Sequence, residues 1–86
     1  MFHYQGAYDG FDSLNEVRPY YKRCRKMKHF ILSNTAIETE KPMCCACNKL
    51  ITVKDGNRCE FHPKRNMIKC MHYYCAWGVT MREIYR

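Results

Sequence analysis

The 86-residue sequence has no apolar run near the roughly 20 residues that a membrane-spanning helix needs. Its N-terminus lacks the basic and then apolar segments of a secretory leader, and the chain contains no internal repeat or low-complexity tract. Acidic residues are scarce, with eight Asp and Glu against 15 Lys and Arg, so the formal net charge is +7. We therefore expect a soluble protein of a reducing, cytoplasmic compartment, without a membrane partner. The positive balance favours a polyanion such as nucleic acid.

Patterns that support catalysis are also missing from the sequence. There is no Ser–His–acid arrangement and no phosphate-binding loop, and the acids lack the paired spacing of a two-metal nuclease. His62 with Glu60 matches a metal-dependent nuclease site only in part. We predict that the protein is not an enzyme and has no small-molecule substrate.

Cysteine, in contrast, is abundant, and four of the seven cysteines form two close pairs. Cys44-x2-Cys47 is followed after 22 residues by Cys70-x4-Cys75. Thiolates select zinc or an iron–sulfur centre, and a closed set of four leaves no open position for catalysis. A chain this short has a marginal core, to which a structural metal adds folding energy. A disulfide scaffold is the alternative, but the odd number of cysteines and the lack of a leader argue against it.

The spacing leaves the ligand set open. We favour one Zn2+ on the four paired cysteines, and two zinc ions are the alternative. Cys59-x2-His62 lies between the pairs, and His72-x2-Cys75 has ligand spacing of its own. Five side chains are therefore alternative ligands: Cys24, His29, Cys59, His62 and His72.

The fold class that we predict is small α+β, with a metal-stabilised zinc ribbon of short antiparallel strands behind a basic amphipathic helix. The predicted segments are an aromatic, turn-rich arm over 1–18, the basic helix over 19–34, a linker over 35–42 and the zinc-ribbon module over 43–86. Pro19 suits a first helical position. An apolar stripe follows at helical spacing, at Tyr20, Cys24, Met27 and Ile31.

Within the module, residues 49–58 predict a strand that enters a turn at Asp55-Gly56. Residues 60–66 predict an exposed loop, and 67–70 a strand that returns to the metal. The tail over 76–86 fits either a strand or a short helix.

Two stretches carry a resemblance to known families. Cys44-Cys-Ala-Cys47-Asn-Lys-Leu-Ile-Thr-Val-Lys and Ile68-Lys-Cys70-Met-His-Tyr-Tyr-Cys75 resemble the small zinc ribbon at the C-terminus of type IA topoisomerases. The spacing is also similar to that of small phage late-transcription activators of the Ogr/Delta type, in which a Glu lies eight residues after the last cysteine, as Glu83 does here. The resemblance covers about half of the chain. It implies nucleic-acid binding or transcription control.

Basic residues are concentrated in two places, 22–28 and 58–69. Phosphate contacts of this type give sequence-independent affinity that falls steeply with salt. The phosphate-binding residues that we predict are Lys22, Arg23, Arg25, Lys26, Arg65 and Lys69. The neighbouring tyrosines are candidates for stacking on unpaired bases: Tyr20, Tyr21, Tyr73 and Tyr74.

These patterns predict a small zinc protein that binds DNA or RNA, or a polymerase-type complex, and acts by occupancy. A phage or viral regulator of transcription or replication in the host cytoplasm fits its size. The alternative is a structural or protein-interaction subunit of a polymerase, ribosome or capsid, docked through the aromatic arm over 1–18.

Overall fold

The computed structural model describes residues 9–84, and the side chains of 10–78. One four-stranded sheet has the order β1-β2-β3-β4, with β1 parallel to β2 and the other pairs antiparallel. The strands are β1 (Asp9–Phe11), β2 (Lys28–Leu32), β3 (Asn57–His62) and β4 (Met67–His72). The helices are α1 (Val17–Tyr20), α2 (Asn34–Glu40) and α3 (Tyr73–Ile84), with 3-10 turns at Leu14–Glu16 and Val53–Asp55. The predicted small α+β class is confirmed.

The core lies on one face of this sheet, which we call the inner face. Phe30, Cys59 and Cys70 are neighbours in register across three strands, and each is buried. Because side chains alternate between faces along a strand, Phe61 shares this face with Cys59. Tyr21 stacks on Phe61 with ring centroids 5.9 Å apart. Further buried side chains complete the core, namely Phe11, Val17, Leu32, Ala36, Ile37 and Ile51.

The opposite, outer face carries polar side chains. His29, Glu60 and Lys69 are neighbours in register on it. Nε2 of His62 lies 3.0 Å from Oε1 of Glu60, and Nη2 of Arg58 lies 3.5 Å from both ring nitrogens of His29. This face also carries Met71, which is in register with Arg58 and is buried, while its polar residues are partly exposed.

The predicted basic helix over 19–34 is wrong for most of its length. The helix that forms, α1, ends at Tyr20, and Lys28–Leu32 is a strand of the sheet. Phe30 and Leu32 are buried while Ile31 is half-buried, so this short run has the period of two of a strand. The apolar stripe predicted at helical spacing combined residues that belong to different elements.

The predicted linker over 35–42 contains α2. Ser33 is its N-cap, since Oγ accepts a hydrogen bond from the Ala36 amide at 3.2 Å, and Ile37 is buried. Ser33-Asn34 therefore begins a helix where the sequence suggested the end of one. Of the two alternatives for the tail, the helix forms as α3. The strand predicted over 49–58 is wrong for most of its length, because Val53–Asp55 is a 3-10 turn and the strand β3 begins at Asn57. β3 also includes residues 60–62 of the predicted exposed loop, and the strand predicted over 67–70 is confirmed by β4.

The arm predicted over 1–18 is described only from residue 9, and its residues 1–8 lie outside the described part of the chain. Phe11 and Val17 are buried against this chain's own core. The apolar surface of these two side chains therefore packs within this chain and is not available to a partner. None of the helices in the described range is long and apolar enough to cross a membrane.

Candidate metal centre

The first cysteine pair lies in a tight knuckle. Met43 and Leu50 form an antiparallel bridge, and the Cys44 amide donates to the Lys49 carbonyl at 2.9 Å. Asn48 closes the turn with φ 61°, a left-handed conformation that asparagine tolerates better than most residues. Its amide donates to the Cys44 carbonyl at 2.8 Å. The knuckle turns the chain back between Cys44 and Cys47, so that both sulfurs reach the same point.

The second ligand pair lies where β4 becomes α3. His72 is the last residue of the strand, and Cys75 lies in the first turn of the helix. The Tyr73 amide donates to the Gly56 carbonyl at 3.2 Å, which fixes the start of the helix against the beginning of β3. Gly56 has φ +71°, where a Cβ atom is strained, so glycine suits this contact.

Four potential ligand atoms converge here, from Cys44, Cys47, His72 and Cys75, all within 4.8 Å of one another. Nδ1 of His72 lies 3.3 Å from Sγ of Cys47 and 3.7 Å from Sγ of Cys75. A tetrahedral zinc with typical bond lengths separates sulfur from nitrogen ligands by about 3.5 Å. The donor set and its spacing therefore fit one Zn2+.

The surroundings of His72 favour metal binding through Nδ1. The ring is 1% exposed, and Nε2 lies 3.0 Å from the carbonyl oxygen of Leu50, which accepts its hydrogen. Oδ2 of Asp55 is 3.8 Å from the same nitrogen. Since this contact places the proton on Nε2, Nδ1 keeps its lone pair for the metal. Tyr74 stacks on the ring at 4.9 Å and covers it from solvent.

The electrostatics of the thiols also favour a cation. Burial raises the pKa of Cys44, but backbone N–H donors, first among them that of His72, outweigh it and bring that pKa down to about 6. Burial and hydrogen bonds to the other two sulfurs raise the pKa of Cys75 to about 12. Cys44 thus ionises readily, and negative charge on Cys44 and Cys47 opposes the ionisation of Cys75. A divalent ion offsets two of the three thiolate charges and leaves a net charge of −1 at the site.

Three of the four predicted ligands, Cys44, Cys47 and Cys75, are brought together. The fourth, Cys70, lies outside the cluster, and His72, one of the alternatives, is in its place. Cys70 is two residues before the end of β4, opposite Cys59 in the neighbouring strand. The sequence signal for His72 was the spacing His72-x2-Cys75. Two ligands separated by two residues fit within one helical turn, whereas the four residues between Cys70 and Cys75 exceed it.

Cys59 and Cys70 form a buried thiol pair on the inner face. A hydrogen bond with Cys70, and then burial, raises the pKa of Cys59, and the same bond lowers the pKa of Cys70. Both side chains are packed in the core, below 9% exposed. Their role in the described fold is to fill space beside Phe30.

The other alternative ligand pairs are separated by the sheet. Cys59 and His62 are three residues apart on one strand, so their side chains point to opposite faces. His29 lies on the outer face, while Cys24 packs against the core. In residues 9–84 the structure thus assembles one cluster of the predicted metal-ligand types, which supports one ion and not two.

The predicted phosphate-binding residues fall in two places. Lys22, Arg23, Arg25 and Lys26 are exposed in the loop between α1 and β2, and Arg65 is exposed in the β3–β4 turn. Lys69 lies apart from them, half-buried on the outer face next to Glu60.

The loop and the turn meet at one end of the sheet. Lys28 pairs with Phe61 near the end of β3, and Nε of Arg18 donates to Oδ1 of Asn66 at 3.1 Å. We call this region the basic end; its exposed cations are Arg18, Lys22, Arg23, Arg25, Lys26, Lys28, Lys64 and Arg65. Sequence reasoning kept the two clusters separate, and the sheet register brings Lys64 and Arg65 of the second cluster next to the first, while Arg58 and Lys69 stay on the outer face. β4 places the metal cluster about 17 Å away, at the other end of the strand.

Comparisons of the chain with family models, with curated proteins and with solved structures found no match. The class of the site therefore rests on its own geometry: a partly buried Cys3His cluster with the spacing of a metal centre.

Proposed function

We propose that this protein is a zinc-stabilised module that binds nucleic acid through its basic end. The metal would be structural, because four protein ligands fill a tetrahedral shell and leave no position for a substrate. We infer a treble-clef type of finger in preference to a ribbon, since the second ligand pair ends a strand and begins a helix.

The observation that carries the binding proposal is the joining of two basic segments at the basic end. Eight exposed cations lie there, far from the metal. Such a surface offers several phosphate contacts to one backbone. Regulation of transcription or replication by occupancy, in a phage or virus, stays a prediction from the size of the chain, since the ribbon resemblance needs Cys70 as a ligand and Cys70 lies outside the cluster.

The first testable prediction concerns charge reversal. Replacing Lys22→Glu and Lys26→Glu should lower the affinity for a fluorescent oligonucleotide more than tenfold at 50 mM salt, because phosphate contacts are lost and repulsion is added. The slope of log affinity against log salt should also decrease by about one for each lost contact. Fluorescence anisotropy across a salt series measures both.

A matched control reverses the same amount of charge elsewhere. Lys49→Glu and Lys54→Glu lie beside the metal centre, are exposed, and change the net charge equally. If both double variants weaken binding to the same extent, net charge and not the basic end governs affinity, and the proposed interface is incorrect.

A second candidate is a protein-interaction subunit, which a different surface supports. Exposed apolar side chains surround the metal centre: Leu50, Val53, Tyr73, Tyr74 and Trp77. Aromatic residues of this kind are enriched in protein interfaces. This version of the alternative uses α3 and the knuckle, whereas the sequence suggested the arm over 1–18.

A further inference from the structure

The structure separates the four tyrosines that were candidates for stacking. Tyr21 is 5% exposed and packs on Phe61, so its ring is part of the core. Tyr73 and Tyr74 are exposed beside the metal centre, where Tyr74 lies on the ring of His72 and near the carboxylate of Asp55. An acidic neighbour repels phosphate. Neither position combines an accessible ring with a basic setting.

Tyr20 does combine them. It is 62% exposed, the most exposed of the large apolar side chains in the described range. Its ring makes edge-to-face contacts with two buried rings, Phe11 at 5.2 Å and Tyr21 at 4.8 Å. These contacts hold the ring in one orientation while much of its surface stays open. A fixed, exposed aromatic ring binds a planar ligand at little cost in side-chain entropy.

The residues around Tyr20 are cationic. Arg18, Lys22 and Arg23 lie within three positions of it, and Arg18 contacts the β3–β4 turn, which carries Arg65. Single-strand binders combine such charge with aromatic rings on which bases stack. In a duplex, both faces of each base are already stacked, so an exposed ring adds affinity only for unpaired bases.

We propose that the polyanion bound at the basic end is single-stranded nucleic acid, with one base stacked on Tyr20. This rests on the proposed function and specifies its ligand. Arg18, Lys22 and Arg23 hold the phosphates on either side of the stacked nucleotide. The shared ligand chemistry is an unpaired base on a phosphodiester backbone, which DNA and RNA both supply.

The test compares Tyr20→Ala with the parent protein on three ligands of equal charge: oligothymidylate, a DNA duplex and inorganic polyphosphate, which has no bases. The expected result is a loss of about 5- to 100-fold for the oligothymidylate, as for one base–aromatic stack, and less than a twofold change for the other two. Tyr20→Phe should retain the parent affinity. Parallel titrations with oligouridylate show whether the protein binds an RNA strand with the same affinity as a DNA strand.

The control is Trp77→Ala, which removes an aromatic ring of similar exposure, 56%, from the helix that follows the metal ligands. Circular dichroism and zinc content verify that each variant is folded. An equal loss on all three ligands, no loss on any, or a single-strand-specific loss in Trp77→Ala instead, overturns the assignment to Tyr20. If Tyr20→Ala does not discriminate among the three ligands while Lys22→Glu with Lys26→Glu still lowers the affinity more than tenfold, the proposed function stands and this inference does not.

Discussion

At the scale of single residues, the metal centre depends on which side chain of β4 reaches the knuckle. The strand ends at His72, two positions after Cys70, which corresponds to about 7 Å along the strand. That distance is longer than any bond from zinc to a ligand. The position of each residue in the strand, and not the difference between a thiol and an imidazole, therefore decides whether Cys70 or His72 is the fourth ligand.

The second prediction concerns separate substitutions of Cys70 and His72. Cys70→Ser should retain one zinc per chain, because Cys70 lies outside the cluster, whereas His72→Ala should lose it and unfold the module. His72→Cys should restore binding with four sulfur ligands. Zinc content by mass spectrometry, and the absorption bands of the Co2+-substituted protein, measure the outcome. Loss of metal in Cys70→Ser with retention in His72→Ala would establish the four-cysteine set.

The third prediction concerns pH. Because the pKa of Cys75 is raised to about 12, its proton must leave when zinc binds at neutral pH. Above about pH 6, where Cys44 is already ionised, zinc affinity should rise at least about tenfold per pH unit. Competition with a chromophoric chelator between pH 6.5 and 8.5 measures it, with Cys45→Ser as the control that keeps the same profile. An affinity independent of pH in this range would contradict the prediction.

The ligand residues could be predicted from the sequence only in part. Cys44 and Cys47 form a local turn whose geometry depends on four residues, so their spacing was sufficient. The choice between Cys70 and His72 depends on where a strand ends and a helix begins. Element boundaries are set by tertiary contacts, such as the Tyr73 amide on the Gly56 carbonyl, that no spacing pattern contains.

At the scale of elements, the side chain of Asn57 extends the sheet. Its Oδ1 accepts from the Leu32 amide at 2.8 Å, and its Nδ2 donates to the Leu32 carbonyl at 3.0 Å. The amide group thus takes the place of a strand residue opposite the end of β2. Asn57 is also in register with His72, so it connects β2 with the metal end of the sheet.

The fourth prediction is that Asn57→Ala lowers the free energy of unfolding by about 2–3 kcal/mol, since it leaves two partly buried backbone groups without partners. Asn15→Ala, at an exposed position, should change it by less than about 0.5 kcal/mol. Urea unfolding in excess zinc measures both. Equal effects of the two variants would show that the Asn57 bonds do not contribute.

The elements that the sequence did not predict correctly are those whose residue pattern fits two kinds of secondary structure. Phe30, Ile31 and Leu32 form a short apolar run, which fits a helix face as well as a strand. Ser33 suits the end of one element and also the N-cap of the next. For Phe30 the decision comes from its pairing with Cys59, about 30 positions away in the sequence. For Ser33 it comes from the burial of Ala36 and Ile37, which follow it in α2.

At the scale of the whole molecule, the fold places the metal cluster and the basic end at opposite ends of the sheet. The metal end joins the knuckle, β4 and α3, and the basic end joins the α1–β2 loop with the β3–β4 turn. Phosphate binding at one end therefore needs no direct contact with the metal. Charge reversal at the basic end should leave zinc content unchanged, which is the reason that the two kinds of variant can be interpreted independently.

The knuckle also lies along β4, the last strand of the sheet, where the Cys45 amide donates to the Cys70 carbonyl at 2.9 Å and the His72 amide donates to Sγ of Cys44 at 3.5 Å. An edge strand with free backbone groups is a template for pairing with another chain. A metal that keeps the knuckle in place would also protect this edge. Zinc deprivation would then produce not only an unfolded monomer but an aggregation-prone one, and the chain's solubility in a cell would depend on its zinc supply.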